Sequence, residues 1–411
     1  MEATQLETES RSRVLDTPRL SLTAIRALPR AHPLLSTLLV TIVLMEIVHG
    51  IELLALFPLY LADVEHESAT LVALTISTYL VVDILTRAPA GWLADHIGRK
   101  PVLLAGIALS ALPLPIMMQT REQNFFLLLN AVNGVGAGCI WPAIYASIAD
   151  HYGKGRRGLI FGLVNTVMLG GLASGPISGG LLLGLSGSFA FSFWFCFGLV
   201  ALAFLVVAVF AHEGGKRADS PQPAVKQGFA FDAQLAILFL IVFCLTFGVA
   251  VLVPILAFYG RDVLGLLPQQ FALTLALPAL ATAVALVPFG HWVDRYGRRR
   301  PLVVGLAVFA VCLWLSPVST APLVVSLGAT LGGLGYALAV PAWNALILDR
   351  IPHEARGTLL GLVAALQGVG LALGPSVGGI LWESASHVAP FMAAAAALSL
   401  GALLALFVRD T

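Results

Sequence analysis

Apolar residues run in long blocks along this chain, separated by short polar breaks. The first block extends from Leu34 to about Leu61, longer than the roughly 20 residues a helix needs to cross a bilayer. The breaks predict twelve membrane helices, over 34–61, 69–94, 101–119, 124–149, 157–183, 189–211, 233–259, 270–292, 301–319, 322–348, 357–383 and 389–408. Connections are short except for 213–232, which contains GGKRADSPQPAVKQ. Its Gly, Pro and charged residues mark a polar linker. The expected organisation is a tail over 1–33, a six-helix unit over 34–212, the linker over 213–232 and a second six-helix unit over 233–411.

Composition agrees with burial in lipid. Hydrophobic residues make up 58% of the 411 and charged residues 11%, where a soluble domain carries about 25% charged. A net charge of +1 gives no basic footprint for nucleic acid, and no nucleic-acid partner is expected. Cys139, Cys196, Cys244 and Cys312 lie in apolar runs without a CxxC, so they read as small buried hydrophobes, not as disulfides or metal ligands. The first 33 residues hold five Arg and no apolar run of signal-peptide type. The expected location is the cell membrane.

Charge asymmetry orients the helices. With the N-terminus inside, all but three of the 23 Lys and Arg fall on cytoplasmic segments. Arg121 and Arg261 fall outside and Arg87 lies within a span. The bias predicts that both termini are cytoplasmic.

Residues of one kind also recur 199 positions apart. Pro89, Gly91, Asp95, Gly98 and Arg99 match Pro288, Gly290, Asp294, Gly297 and Arg298. Gly134, Gly136, Pro142 and Asp150 match Gly333, Gly335, Pro341 and Asp349. Arg157, Gly171, Gly175, Pro176 and Gly179 match Arg356, Gly370, Gly374, Pro375 and Gly378. An even number of spans per copy keeps both copies in one orientation. Such a repeat gives two bundles related by an axis along the membrane normal, with solute bound between them.

The segments Gly91-Trp-Leu-Ala-Asp95-His-Ile-Gly98-Arg99 and Gly290-His-Trp-Val-Asp294-Arg295-Tyr-Gly297-Arg298 resemble the loop signature of the major facilitator superfamily. His96 in the first copy, against Arg295 in the second, is a mild departure. The resemblance covers essentially the whole chain. It implies a secondary transporter working by alternating access. It also implies that Asp95 meets the start of the eleventh span near Arg356, and Asp294 the start of the fifth near Arg157. Both contacts would face helix N-termini and shut the cytoplasmic side. The bland alternative is that these basic residues only anchor the loops inside.

The fifth span carries Gly162, Gly171, Gly175, Pro176, Gly179 and Gly180, similar to the signature of proton-exchanging exporters in that superfamily. The physics is a smooth groove with a proline bend, and it favours export. The same spacing in the eleventh span leaves packing of the repeat as the other reading.

Ionisable residues inside the spans are few, and each costs roughly 2.5–3.5 kcal/mol on insertion scales. Glu46, His49 and Glu52 lie on the first span; Tyr79, Asp83 and Arg87 follow one face of the second. A carboxyl group shielded from water can be protonated in one state and release its proton in the other, so Glu46 is the leading proton carrier. Asp83 is second and His49 a possible relay. The alternatives are an Asp83–Arg87 structural pair, a packing role for His49, and a Glu52 that reaches the outer surface. Many proton-coupled members of the family carry an Arg where this chain has Asn130, so coupling here would need another group, for which Arg87 is the candidate, or transport here is not proton-driven.

Candidate cavity residues are Asn130, Asn133, Trp141, Asn165, Tyr336, Trp343, Asn344 and Gln367. An acidic N-terminal half facing an apolar C-terminal half suits amphipathic, neutral or cationic solutes and suits phosphate esters poorly. The expected function is proton-coupled export of amphipathic or cationic drug-like molecules by a monomer. The alternatives are export of a sugar, amino acid or lysolipid, and more remotely a non-transporting receptor. No nucleotide-binding loop or HExxH zinc pair is present. Gly374-Pro-Ser376-Val-Gly378 matches GxSxG only inside an apolar helical span and not as a nucleophile elbow. No enzyme and no cofactor are therefore expected, the energy coming from a proton gradient.

Overall fold

In the computed structural model, the described residues are 33–65, 67–120, 122–151, 154–211, 232–351 and 356–409. Most of the predicted 1–33 tail and the 213–232 linker lie outside them. The described chain is helical. It begins with α1 (Pro33–Ile51), which passes through a π-turn over Glu52–Leu56 into α2 (Phe57–Asp63). Then come α3 (Ala69–Ile97), α4 (Arg99–Ala111), α5 (Pro113–Met117), α6 (Gln123–His151), α7 (Lys154–Ser186) and α8 (Phe189–Phe210). The second half holds α9 (Ala233–Leu252), α10 (Ile255–Phe258), α11 (Pro268–Tyr296), α12 (Arg299–Leu315), α13 (Pro322–Arg350), α14 (Arg356–Ser384) and α15 (Ala389–Ala405).

Ten helical segments among the described residues are long and apolar enough to cross a membrane. Helices α12 and α15, of 17 residues each, are shorter. Prolines punctuate this series as expected. Pro268 opens α11, at a position whose N–H has no helical acceptor, and Pro113 interrupts the Arg99–Met117 span where α4 gives way to α5. Gly98 and Gly297 take φ of 108° and 91° where α3 and α11 end, a region that side chains disfavour.

Packing follows the sequence repeat. In the N-terminal half α3 and α4 lie against α6, and α1 against α7 and α8. In the C-terminal half α11 and α12 lie against α13, and α9 against α14 and α15. The close approaches correspond residue for residue. A Cβ on Gly106 would stand 2.8 Å from the carbonyl oxygen of Gly136; 199 positions on, a Cβ on Gly305 would stand 2.6 Å from that of Gly335. Small residues here let backbones meet where no hydrophobic force drives helices together in lipid.

The halves join through α3 against α14 and α7 against α11, again as equivalents. A Cβ on Gly180 would stand 2.7 Å from Pro268 O, and one on Gly379 the same distance from Ala69 O. Near these contacts Thr70 donates through N and Oγ1 to Glu383 at 3.2 and 2.5 Å. Ser376 N donates to Ser77 Oγ at 3.1 Å. Arg261 bridges Asp63 and Asp262. These bonds gather at the end of the molecule bearing Asp63. Toward the opposite end, where the Gly98 and Gly297 loops lie, Leu85, Trp92 and Ile97 of α3 are exposed.

Candidate functional site

Three helices of the N-terminal half bring ionisable and amide side chains into one buried cluster. Glu46 and His49 lie on α1 one turn apart, with His49 Nδ1 3.4 Å from Glu46 Oε1. Glu52 opens the π-turn, a local widening that recurs at functional positions in helices. On α3, Arg87 donates through Nη2 and Nε to Asp83 at 2.7 and 3.0 Å. The Asp83 side chain is buried while that of Arg87 is 43% exposed. Tyr79, a turn before Asp83, is buried with its ring 5.8 Å from that of His49. From α6, Asn133 Nδ2 donates to Glu52 Oε2 at 3.0 Å and Asn130 Nδ2 to Thr75 O at 2.7 Å.

The carboxyl groups and His49 are buried: Glu46, His49 and Asp83 are each 5% exposed and Glu52 is 1% exposed. A Glu52 side chain that reaches the outer surface is therefore not what the structure holds. His49 is within electrostatic reach of Glu46, Glu52 and Asp83. Gly171 of α7 backs the cluster, since a Cβ there would stand 2.7 Å from Glu46 Cβ. The predicted packing glycines behave alike: Gly175 faces Gly50, Gly179 faces Ala55, and Gly370, Gly374 and Gly378 face Thr246, Ala250 and Val251. Pro176 and Pro375 lie inside α7 and α14.

The remaining candidates are dispersed. Trp141 is half-buried and stacks on Tyr145 at 5.6 Å. Tyr336 packs edge-on against Phe309. Trp343 is buried and donates to Leu238 O at 3.1 Å. Asn344 is exposed and Gln367 half-buried. The side chains of Arg157, Asn165, Asp294 and Arg356 lie outside the described part of the structure.

The loop signatures form two equivalent charge groups, each within its own half. Arg99 pairs with Asp95 at 2.6 Å and Asp150 at 3.2 Å; Arg298 pairs with Asp349. Arg295 is exposed. Gly91 and Gly290 stand beside Pro142 and Pro341, where an added Cβ would make only ordinary contact at 3.7 and 3.9 Å. The sequence repeat had paired Asp150 with Asp349 without giving them a role. The bonds at the Asp63 end were missed altogether. The repeat register alone pointed there, since Ala69 and Pro268 are 199 apart.

The profile of the Major Facilitator Superfamily matches residues 34–266 and 238–411. The chain belongs to the major facilitator superfamily. As a member of it, the protein is a membrane transporter and not an enzyme. It is 24% identical over 347 residues to multidrug resistance protein 2 of Bacillus subtilis, covering 82% of this chain and 86% of that one. It is 24% identical over 363 residues to the proton-coupled antiporter flippase LtaA of Staphylococcus saprophyticus, covering 85% and 88%. Among solved structures, the human organic anion transporter MFSD10 superposes with a TM-score of 0.66 at 19% identity, over 90% of this chain and 98% of that one. The nucleoside transporter NupG gives 0.71 at 14% identity, over 91% and 98%. These superfamily folds agree with the helical packing described above.

Proposed function

We propose that this member of the superfamily exports amphipathic or cationic small molecules in exchange for protons. The observation that carries the reading is the buried N-terminal cluster of Glu46–His49, Asp83–Arg87 and Glu52–Asn133. An intramembrane carboxyl group is costly unless it is used. Glu46 is the leading proton carrier, Asp83 the second, and His49 and Arg87 the groups that respond when either changes charge. The relatives named for multidrug resistance and for proton-coupled antiport support this reading.

The reading uses twelve spans, α12 and α15 among them, as two six-helix bundles over 34–212 and 233–411 related by a pseudo-two-fold axis along the membrane normal. The reciprocal Gly180–Pro268 and Gly379–Ala69 contacts support the axis. The protein acts as a monomer in the cell membrane with both termini cytoplasmic, its energy coming from the proton gradient. In that orientation the Asp63 end is external and tightly joined, and the conformation is inward-facing. In the outward-facing conformation, Asp95 and Asp294 would contact the opposite half near Arg356 and Arg157.

A second reading, export of a single-chain lipid, draws on one further feature. A cavity of about 210 Å³ opens among α2, α7 and α11, lined by Leu59, Pro176, Gly180, Phe271 and Leu275. Proteoliposomes with an imposed pH gradient separate the readings when offered lipophilic cations, sugars, amino acids and lysolipids in turn. The proposal expects gradient-driven movement of the cations. Movement of lysolipids alone would favour the second reading. Identical fluxes with and without the gradient would remove proton coupling.

A further inference from the structure

Glu52 differs from the other acidic groups of the cluster. Glu46 has His49 and Asp83 has Arg87, but Glu52 has no ion-pair partner among the described residues. It is 1% exposed. A buried carboxylate in that position is strongly unfavourable as the bare anion, and either a proton or a cation must neutralise it.

His49, one turn earlier, is within electrostatic reach of it and has its own Nε2 left without a partner among the described residues; the other polar groups around it offer oxygen. Asn133 Nδ2 bonds the carboxylate, and Asn133 Oδ1, attached to the same carbon, lies beside it. That oxygen finds no hydrogen-bond donor among the described residues. One turn earlier on α6, Asn130 repeats the pattern: Nδ2 is held by Thr75 O while Oδ1 is left without a donor. Both asparagines are at most 1% exposed. Buried acceptors of this kind are ordinarily satisfied. Two amide oxygens and one carboxylate form a hard ligand set, and the single carboxylate balances a single positive charge.

We propose that Glu52, Asn130 and Asn133 bind a sodium ion between α6 and the π-turn that follows α1. The ion neutralises Glu52 and takes both free amide oxygens. The transported solute and the role of Glu46 do not enter this inference.

The test is binding of radioactive sodium to the full chain in lipid nanodiscs, with thermal unfolding in sodium, potassium and choline chlorides at equal ionic strength. Saturable sodium binding is expected, displaced by unlabelled sodium and not by choline, with a rise in unfolding temperature specific to sodium. Glu52→Gln abolishes both effects. Asn133→Ala weakens binding by about ten-fold or more, and Ser384→Ala leaves it unchanged. Absence of saturable binding in the wild type overturns the proposal. So does binding that is unchanged in both Glu52→Gln and Asn133→Ala. Should Glu52→Gln fail to fold, the wild type and Asn133→Ala decide. Proton-driven flux measured in sodium-free choline buffer tests the transport function separately, so either can fail without the other.

Discussion

Glu46 on α1 and Glu52 in the π-turn that follows it have different surroundings. Glu46 faces a histidine and is backed by a glycine whose Cβ would stand 2.7 Å away. Its position is therefore set by α7 as well as by α1. Gly171→Ala is expected to push the Glu46 side chain aside, lowering proton-coupled flux while the protein still folds. Gly170, one residue earlier, has open space where a Cβ would go. Gly170→Ala is expected to leave flux unchanged and to raise stability by up to about 1 kcal/mol through helix propensity. Flux and thermal unfolding of the two variants side by side would check both outcomes. The charged residues of the cluster were legible in the sequence, because ionisable groups stand out in an apolar run. Their partners on α6 were less so: the Asn133–Glu52 bond spans 81 positions, and an asparagine carries no charge to announce it.

At the scale of elements, the contacts between α3 and α14 and between α7 and α11 decide which end is shut. Thr70 with Glu383, and Ser77 with Ser376, tie the first pair. Cysteines at 70 and 383 are expected to cross-link readily and to block transport until reduced; free transport by the cross-linked protein would contradict this. Arg261→Ala removes the link to Asp63 and is expected to loosen that end, raising the labelling of a cysteine placed at Leu59. The loop signature lies at the other end, where the proposed mechanism gives it the gate. Asp95→Asn is expected to favour the inward-facing form, read as greater access of cytoplasmic-side cysteine probes than in the parent. Hydropathy predicted these helices well, with ends within a few residues. The repeat predicted which glycines serve in pairs, because backbone approach needs a small residue in both copies. The Thr70–Glu383 bond was not legible, since Thr70 and Gly184 have Gln269 and Glu383 as their repeat partners, and nothing in that pattern marks a polar lock.

For the whole molecule, the two halves share packing and differ in chemistry. Where the first half has Asp83 and Arg87, the second has Thr282 and Leu286; where it has Asn130 and Asn133, the second has Ala329 and Gly332. The repeat keeps the packing glycines in both halves, while Glu46, Asp83 and Arg87 lie in the first. In the proposed mechanism, the N-terminal half handles protons while the apolar C-terminal half supplies a wall for the solute. The most direct measurement is lumenal pH, followed with a trapped dye, when a transported cation is added to proteoliposomes with no gradient imposed. Antiport predicts proton movement opposite to the solute in the wild type. In Glu46→Gln the proton movement should be lost while solute exchange persists. Solute movement with an unchanged lumenal pH in the wild type, or coupling that survives in Glu46→Gln, would contradict the account.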